Sequence, residues 1–432
     1  MAELGDTLSG ALWMGEVSVL LYVLYRCGLG LLSLRSSGPA GRGAGATTFL
    51  ILVSAHDEDD VISKTVASLL RLDYPENRRS VLVVADDCRD RTEQAARAAG
   101  ALVLTKPGPA RGKGRVIQWA LAQPEVSEAS WDALVLFDAD SKPAPDFLCV
   151  LDGAISRGWK AIQGRCESPN QGGWVERGHA LNNSQRNRTW HQAREAAGFS
   201  AVLTGTGTCL TRDVLQAVPP AAKTLTEDLE YTALLTRAGI RAHYIHDTVV
   251  QIEQPHSLRS SVRQRLRWAR GQILTALAHC PGLLWRAVRR RDISAFDTAL
   301  YLALPSLTPL QAGLLIWIAG DALLPGIWPR ARIGGLPEIP ASLLLFVLAF
   351  SLLLPSLGLL AEHRRAGWRD WLAFGFLMAS WLPIAAFAAM TTWVQTWHRT
   401  PHGSLRAAAI PPAELQRREI EEQPSISRES AP

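Results

Sequence analysis

From residue 49 to residue 140 the chain alternates short β-branched and aliphatic runs with stretches whose apolar side chains return every three or four positions. TTFLILVSA, SVLVVADD, ALVLTK and ALVLFDAD read as strands. DDVISKTVASLLRL, RTEQAARAAG and GRVIQWALAQ read as helices, the first with Val61, Ile62, Thr65, Val66 and Leu69 on one side. Such alternation predicts an α/β fold: a parallel or mixed sheet flanked by helices, with ligands at the carboxyl ends of its strands.

Two of those ends are acidic. Asp86 and Asp87 close the second strand, and LVLFDADSKP carries Asp138 and Asp140 to the rim of the last. Asp86 and Asp138 should therefore face one crevice. A carboxylate beyond a strand can accept hydrogen bonds from a nucleobase or ribose, and it can equally close a turn. Asp138 and Asp140 would share a face on a continuing strand, where their like charges repel unless a cation lies between them. Hard carboxylate oxygens suit Mg²⁺ or Mn²⁺, whose shell substrate phosphates commonly complete. Two solvated carboxylates in a turn are the plainer alternative.

Further along, RGKG, Arg111 to Gly114, places Lys113 between glycines just before a helix. That context lets backbone approach an anion, although the spacing is not that of a P-loop. In TLTEDLEY, Thr226 can cap a helix whose first turn holds Glu227 and Asp228, where the dipole favours carboxylates. Asp228 could equally be a general base that takes a proton from an attacking hydroxyl. In SVRQRLRWARGQ, Gln264, Arg267 and Trp268 fall at i, i+3 and i+4 of a helix and share a face. Guanidinium, amide and indole together suit a diphosphate and a sugar; a basic helix lying on a membrane explains the same string.

Apolar material is concentrated at both ends. Ala11 to Leu34, Phe296 to Trp328, Ala341 to Ala361 and Trp371 to Thr396 each reach the ~20 residues a bilayer crossing needs. We therefore expect a multi-pass protein of the cell (inner) membrane. The expected order is an anchor over 1–35, a Gly-rich linker over 36–47, a catalytic domain over 48–275 and an interfacial helix or linker over 276–295. A region of two or three spans over 296–397 and a polar, partly disordered tail over 398–432 complete it. Basic residues after the first segment place the middle domain in the cytoplasm. Six cysteines without a CxxC pair fit a reducing compartment. A net charge of +5 is too mild to suggest nucleic acid and fits loops beside an anionic membrane.

Taken in order, the strand-end aspartate, the D-x-D, the T-E-D and the Q-R-x-R-W resemble family 2 inverting glycosyltransferases with a GT-A fold. The chain is most similar to the membrane-embedded branch holding cellulose, hyaluronan and poly-N-acetylglucosamine synthases. The resemblance implies a nucleotide-sugar donor, with Asp86 on the uracil or ribose and Lys113 on the nucleotide side. It implies Asp138 and Asp140 holding Mg²⁺ or Mn²⁺, Asp228 as the base, and Gln264, Arg267 and Trp268 gripping the leaving diphosphate and the acceptor. Gly205 and Thr206 of GTGTC, with Glu227, would face the acceptor. The expected activity is extension of a polysaccharide on the cytoplasmic face, with export or accessory subunits as possible partners. A single addition to a membrane lipid and a non-catalytic glycan-binding membrane subunit are the alternatives. SAHDEDD after the first strand departs from the family's commoner asparagine-containing form, and the membrane region is much shorter than in cellulose synthases.

Overall fold

The computed structural model describes residues 2–34, 40–109, 112–168, 172–220, 223–305 and 366–393. Arg111, the start of the linker, the segment from Ala341 to Ala361 and the tail from 398 lie outside the described residues.

The alternation read from the sequence is the alternation of the fold. β1 (Phe49–Ala55), α2 (Ile62–Leu70), β2 (Arg79–Asp86), α3 (Thr92–Ala98), β3 (Leu102–Lys106), α4 (Lys113–Leu121) and β4 (Ala133–Asp138) follow a first helix, α1 (Ala2–Leu32), with a short α5 (Pro124–Ser127) before β4. Next come β5 (Lys142–Pro143), α6 (Phe147–Ser156), β6 (Ala161–Glu167), and α7 (Trp174–Arg186), which continues through a π-helical turn, Asn187–Gln192, into α8 (Ala193–Ala197). β7 (Thr208–Thr211), α9 (Arg212–Ala217), α10 (Glu227–Ala238), β8 (Ala242–Gln251) and α11 (Leu258–Arg290) complete the sheet and its cover. Two apolar helices follow, α12 (Ile293–Pro305) and α13 (Trp368–Met390).

The eight strands form one mixed sheet in the order β3-β2-β1-β4-β7-β6-β8-β5. β3, β2, β1 and β4 run parallel; β7 is antiparallel to β4 and β6; β6 and β8 are parallel to one another. Successive side chains of β1 enter opposite layers, as the two-residue period of a strand requires. Phe49, Ile51 and Val53 join α2 and α6 in one core, and Leu50 and Leu52 join α4 and α10 in the other. Burial on both faces is why these strands read as unbroken apolar runs. Asp86 and Asp138 consequently leave the sheet at the same edge, one strand apart.

Two expectations fail locally. β4 stops at Asp138, where the Ser141 N–H turns back to the Asp138 carbonyl at 3.1 Å, so Asp140 sits in a turn and not on a continuing strand. Thr226 stands at the head of α10 without capping it through its side chain, because its hydroxyl lies 3.3 Å from Thr275 Oγ1 of α11.

Trp13–Leu32 and Trp368–Met390 are long and apolar enough to cross a membrane by length and composition. Each is also tied to the sheet domain. Arg26 of α1 lies 4.0 Å over the Trp190 ring, and Tyr25 donates to Asp297, which pairs with the fully buried Arg194 at 3.0 Å. α13 lies across α7 and α11, where Arg265 donates to Leu377 O at 2.6 Å and Ser380 Oγ at 2.8 Å, and Arg177 pairs with Asp370 at 3.2 Å.

Candidate active site

β4, the first turn of α4, the loop before β7 and the first turn of α10 meet at the carboxyl edge of the sheet. Lys113, the first residue of α4, donates Nζ to Asp138 Oδ1 and to the Gly205 carbonyl at 3.0 Å. Gly205 has φ +83°, a left-handed conformation that glycine adopts without strain. A Cβ built on it would lie 3.6 Å from Asp228 Oδ2 and 3.8 Å from both Glu227 Oε1 and Lys113 Nζ. Those are ordinary contact distances, so it is the left-handed backbone, not lack of room, that asks for glycine beside the two carboxylates and the cation.

The electrostatics follow from the packing. An apolar pocket of about 470 Å³, counting its open mouth, borders the two acids and is walled by Ile117, Leu136, Leu203, Leu210, Pro220 and Tyr231. Burial pushes Glu227 up to about 7, aided by the Asp228 charge and opposed by Lys113 and Arg267. Burial likewise raises Asp228, against the Leu229 N–H, which donates to Oδ1 at 2.8 Å, and the charges of Lys113 and Arg267. Although burial alone would lower Lys113, the Asp138, Glu227 and Asp228 carboxylates raise it, so it stays charged. The result is a half-buried pair of acids with raised affinity for protons beside a fixed cation, an arrangement suited to proton abstraction.

Of the residues singled out in the sequence, Lys113, Asp138, Gly205, Glu227 and Asp228 converge, and Arg267 acts on both acids through its charge. Thr206 is buried, its hydroxyl 2.7 Å from Ser141 Oγ and 3.3 Å from the Asp138 N–H it accepts, so it fixes the turn that carries the aspartates. Asp140 is half-buried in that turn. Gln264 and Trp268 share a half-buried face of α11 with Arg267, and Gln264 Oε1 is buried without a hydrogen-bond partner. Asp86 stands apart from the cluster, buried at the end of β2 and paired with Lys106 at 2.7 Å.

Sequence reading passed over Lys106, Ser141 and Gln163. The last accepts from the Thr204 N–H and donates to Thr206 O, each at 2.9 Å, and so holds the loop before β7. It also passed over Asp57, Cys88 and Asp90, whose ligand atoms lie within 4.8 Å of one another and could hold a cation. Their carboxylates already bind loop backbone: Asp57 accepts from Arg89 N at 2.7 Å, and Asp90 from Thr92 N at 2.9 Å and Asp59 N at 3.1 Å.

Comparison with known proteins places the fold. The family model described as "Glycosyltransferase like family 2" matches residues 46–271. A β-monoglucosyldiacylglycerol synthase of Synechocystis is 29% identical over 230 residues, covering 51% of this chain and 47% of that one. A UDP-forming cellulose synthase catalytic subunit of Komagataeibacter sucrofermentans is 24% identical over 295 residues, covering 63% and 37%. The chain thus spans about half or less of the length of these relatives. Among solved structures, the mannosyltransferase PcManGT from Pyrobaculum calidifontis, in complex with GDP-mannose and Mn²⁺, shares the fold with a TM-score of 0.57 at 18% identity. That match covers 90% of this chain and 99% of the other.

Proposed function

The chain belongs to glycosyltransferase family 2, and from that premise we propose that it moves a sugar from a nucleotide diphosphate to an acceptor at a membrane surface, with inversion. The observation that supports this best is the meeting of Lys113, Asp138, Glu227 and Asp228 around the open space at Gly205. In this reading Asp228 takes the proton of the acceptor hydroxyl, and the freed oxygen attacks C1 from the face opposite the diphosphate. The C1–O bond breaks, and its electron pair leaves with the diphosphate. Lys113 and Arg267 face the charge that develops there, the kind of electrostatic stabilisation that usually dominates such steps.

The donor set at the rim fits a divalent cation. Asp138 and Asp140 offer hard oxygens, the Asp138 side chain is 44% exposed, and the carboxylate already attracts the Lys113 ammonium. Mg²⁺ or Mn²⁺ held there would neutralise donor phosphate charge. Asp86, at the same sheet edge, is assigned to the nucleoside, and Gln264, Arg267 and Trp268 to the leaving group and the acceptor sugar.

The acceptor we favour is a growing glycan on the cytoplasmic face of the inner membrane, as the likeness to a cellulose synthase subunit supports. Single addition to a lipid is the second reading. It is favoured by the exposed apolar side of α13, with Trp368, Leu372, Phe376 and Met390, and by the likeness to a glycolipid synthase. The test uses the protein in phospholipid vesicles with radiolabelled nucleotide sugars and sizes the product. Transfer that persists in chelator, or with Asp138 and Asp140 both replaced by alanine, removes the metal from the reading. Unchanged turnover in Asp228→Asn removes the base.

A further inference from the structure

Three arginines and two histidines come together where the π-helical turn after α7 packs against β6 and β8: Arg165 Nη1 lies 3.3 Å from His246 Nε2, the Arg165 and Arg188 charges act on His246, and the Arg186 charge acts on His191. Arg165 lies near the end of β6 beside a register shift, Arg186 and Arg188 flank Asn187, His191 follows in the turn and His246 stands on β8. Hydrogen bonds join this place to the catalytic centre. The Asp138 N–H donates to Thr206 Oγ1 at 3.3 Å, Cys166 Sγ lies 3.6 Å from Thr206 O, and Asn187 Nδ2 donates to Cys166 O at 2.8 Å.

The arginines are poorly neutralised. Glu167 reaches Arg165 only at 3.5 Å, and Arg188 donates to Gln192 Oε1, a neutral group, at 2.8 Å. Among the described residues Arg186 makes no hydrogen bond or ion pair, and the Nε atoms of all three arginines are buried without a partner. The histidines add no charge: burial, with Arg165 and Arg188, brings His246 down to about 4, and burial, with Arg186 and Arg194, holds His191 well below its ordinary range. Half-buried cations with little counter-charge are costly, and an anionic ligand would offset that cost. Several guanidinium forks call for an anion with more oxygens than a carboxylate offers, which is a phosphate.

The place of the cluster in the sheet says which substrate brings that phosphate. The edge assigned to the donor is formed by β2, β1 and β4, whereas β6 lies two strands beyond β4, across β7. We propose that Arg165, Arg186 and Arg188 seat a phosphate carried by the acceptor, on the side of the catalytic centre away from the nucleotide. This rests on the transferase reading, favours its second form, single addition, over extension of a glycan, and takes the acceptor to be a phosphorylated molecule, whether lipid-linked or soluble.

The test uses the full chain in phosphatidylcholine vesicles with Mn²⁺ and a panel of UDP- and GDP-sugars. The acceptors are phosphatidylglycerol in the vesicle, glycerol 3-phosphate in solution, the uncharged alcohol of each (diacylglycerol and glycerol), and a neutral oligosaccharide. We expect a phosphorylated acceptor to show a KM at least about ten-fold below that of its alcohol, and inorganic phosphate to compete with it. Which phosphorylated arm responds identifies the source. Arg186→Gln should raise the acceptor KM by about ten- to a hundred-fold while UDP affinity holds, and Arg186→Lys should recover part of the loss. Held UDP affinity shows that the variant is folded. Equal use of alcohols and phosphates, or an acceptor KM unmoved in Arg186→Gln, overturns this assignment while donor turnover leaves the transferase reading standing. No nucleotide binding and no donor turnover with any acceptor would overturn both.

Discussion

The Lys113 ammonium is the hydrogen-bond partner of the Asp138 carboxylate, drawn from the start of one helix to the end of the neighbouring strand. It also holds the Gly205 carbonyl, so a single cation ties together the rim, the loop and, through its charge, the two acids of α10. Replacing it with alanine takes the hydrogen-bonded cation from Asp138 and leaves Glu227 and Asp228 with Arg267 as their remaining counter-charge. Lys113→Ala is expected to weaken binding of UDP in the presence of Mn²⁺ by about ten- to a hundred-fold, the range for a charge-assisted hydrogen bond. Isothermal titration with UDP checks this, and an unchanged Kd would remove Lys113 from the donor side.

The raised acids give a pH profile with a definite sign. A general base works deprotonated, so transfer should be present above the raised range of Asp228 and fall as pH drops into it. The Asp228 charge raises Glu227, so Glu227 still holds its proton when Asp228 has given up its own. Glu227→Gln should therefore leave the limb in place. Stability has the opposite sense. The folded chain holds a proton on Glu227 that the unfolded chain releases, so stability should decline as pH rises from about 4.5 to about 7. Initial rates and thermal melts across pH 4 to 9 read both, and a limb that disappears in Glu227→Gln would contradict Asp228 as the base.

What was legible in the sequence follows the range of the forces that set it. Asp138 could be placed at a strand end because the apolar run before it is local and buried on both faces. The fate of Asp140 could not, since the turn carrying it is fixed partly by Thr206, which accepts from Asp138 N across 68 positions of sequence. Gln264, Arg267 and Trp268 were readable as one face because helical periodicity alone sets that face. Arg186 and Arg188 were missed because their neighbours on β6 and β8 are brought in by the sheet order. A signal was nonetheless present: WVERGHALNNSQR is polar nearly all round, yet His179, Asn183, Ser184 and Gln185 within it are buried. A helix of that composition in a protein interior marks a polar chamber.

Asp86 and Lys106 face each other across the paired ends of β2 and β3, 2.7 Å apart, at 5% and 11% side-chain exposure. Removing one member of such a pair leaves the other buried and uncompensated. Asp86→Ala is expected to lower stability by on the order of 3 kcal/mol and to weaken UDP binding as well. Asp86→Asn with Lys106→Met keeps volume without a lone charge and should recover most of the stability but not the nucleotide affinity. Denaturant melts beside UDP titrations separate the two effects. Recovery of both would make Asp86 a structural residue only.

Helix α13 is held against the sheet domain by polar contacts and by close backbone approach, and both can be broken singly. A Cβ on Gly178 of α7 would meet Leu377 Cδ1 at 2.5 Å and the Ala373 carbonyl at 3.0 Å, so the two helices touch where α7 has no side chain. Gly178→Val therefore cannot keep this packing, because the carbonyl belongs to rigid helix backbone. Arg265→Ala acts differently: it removes the donor to Leu377 O and Ser380 Oγ and leaves the helix faces in place. Buried hydrogen bonds to a charged donor are worth about 1.5 to 3 kcal/mol each, so this variant should loosen α13 without expelling it. Cleavage by trypsin at Arg369 in vesicle-bound protein measures the docking, with fast cutting expected in Gly178→Val, slower cutting in Arg265→Ala and slowest in the parent. Because α11 carries both Arg265 and, two positions on, Arg267, the same variants should lower donor turnover in that order if α13 steadies the helix that reaches the diphosphate; equal turnover in all three would make α13 a membrane contact with no bearing on the site.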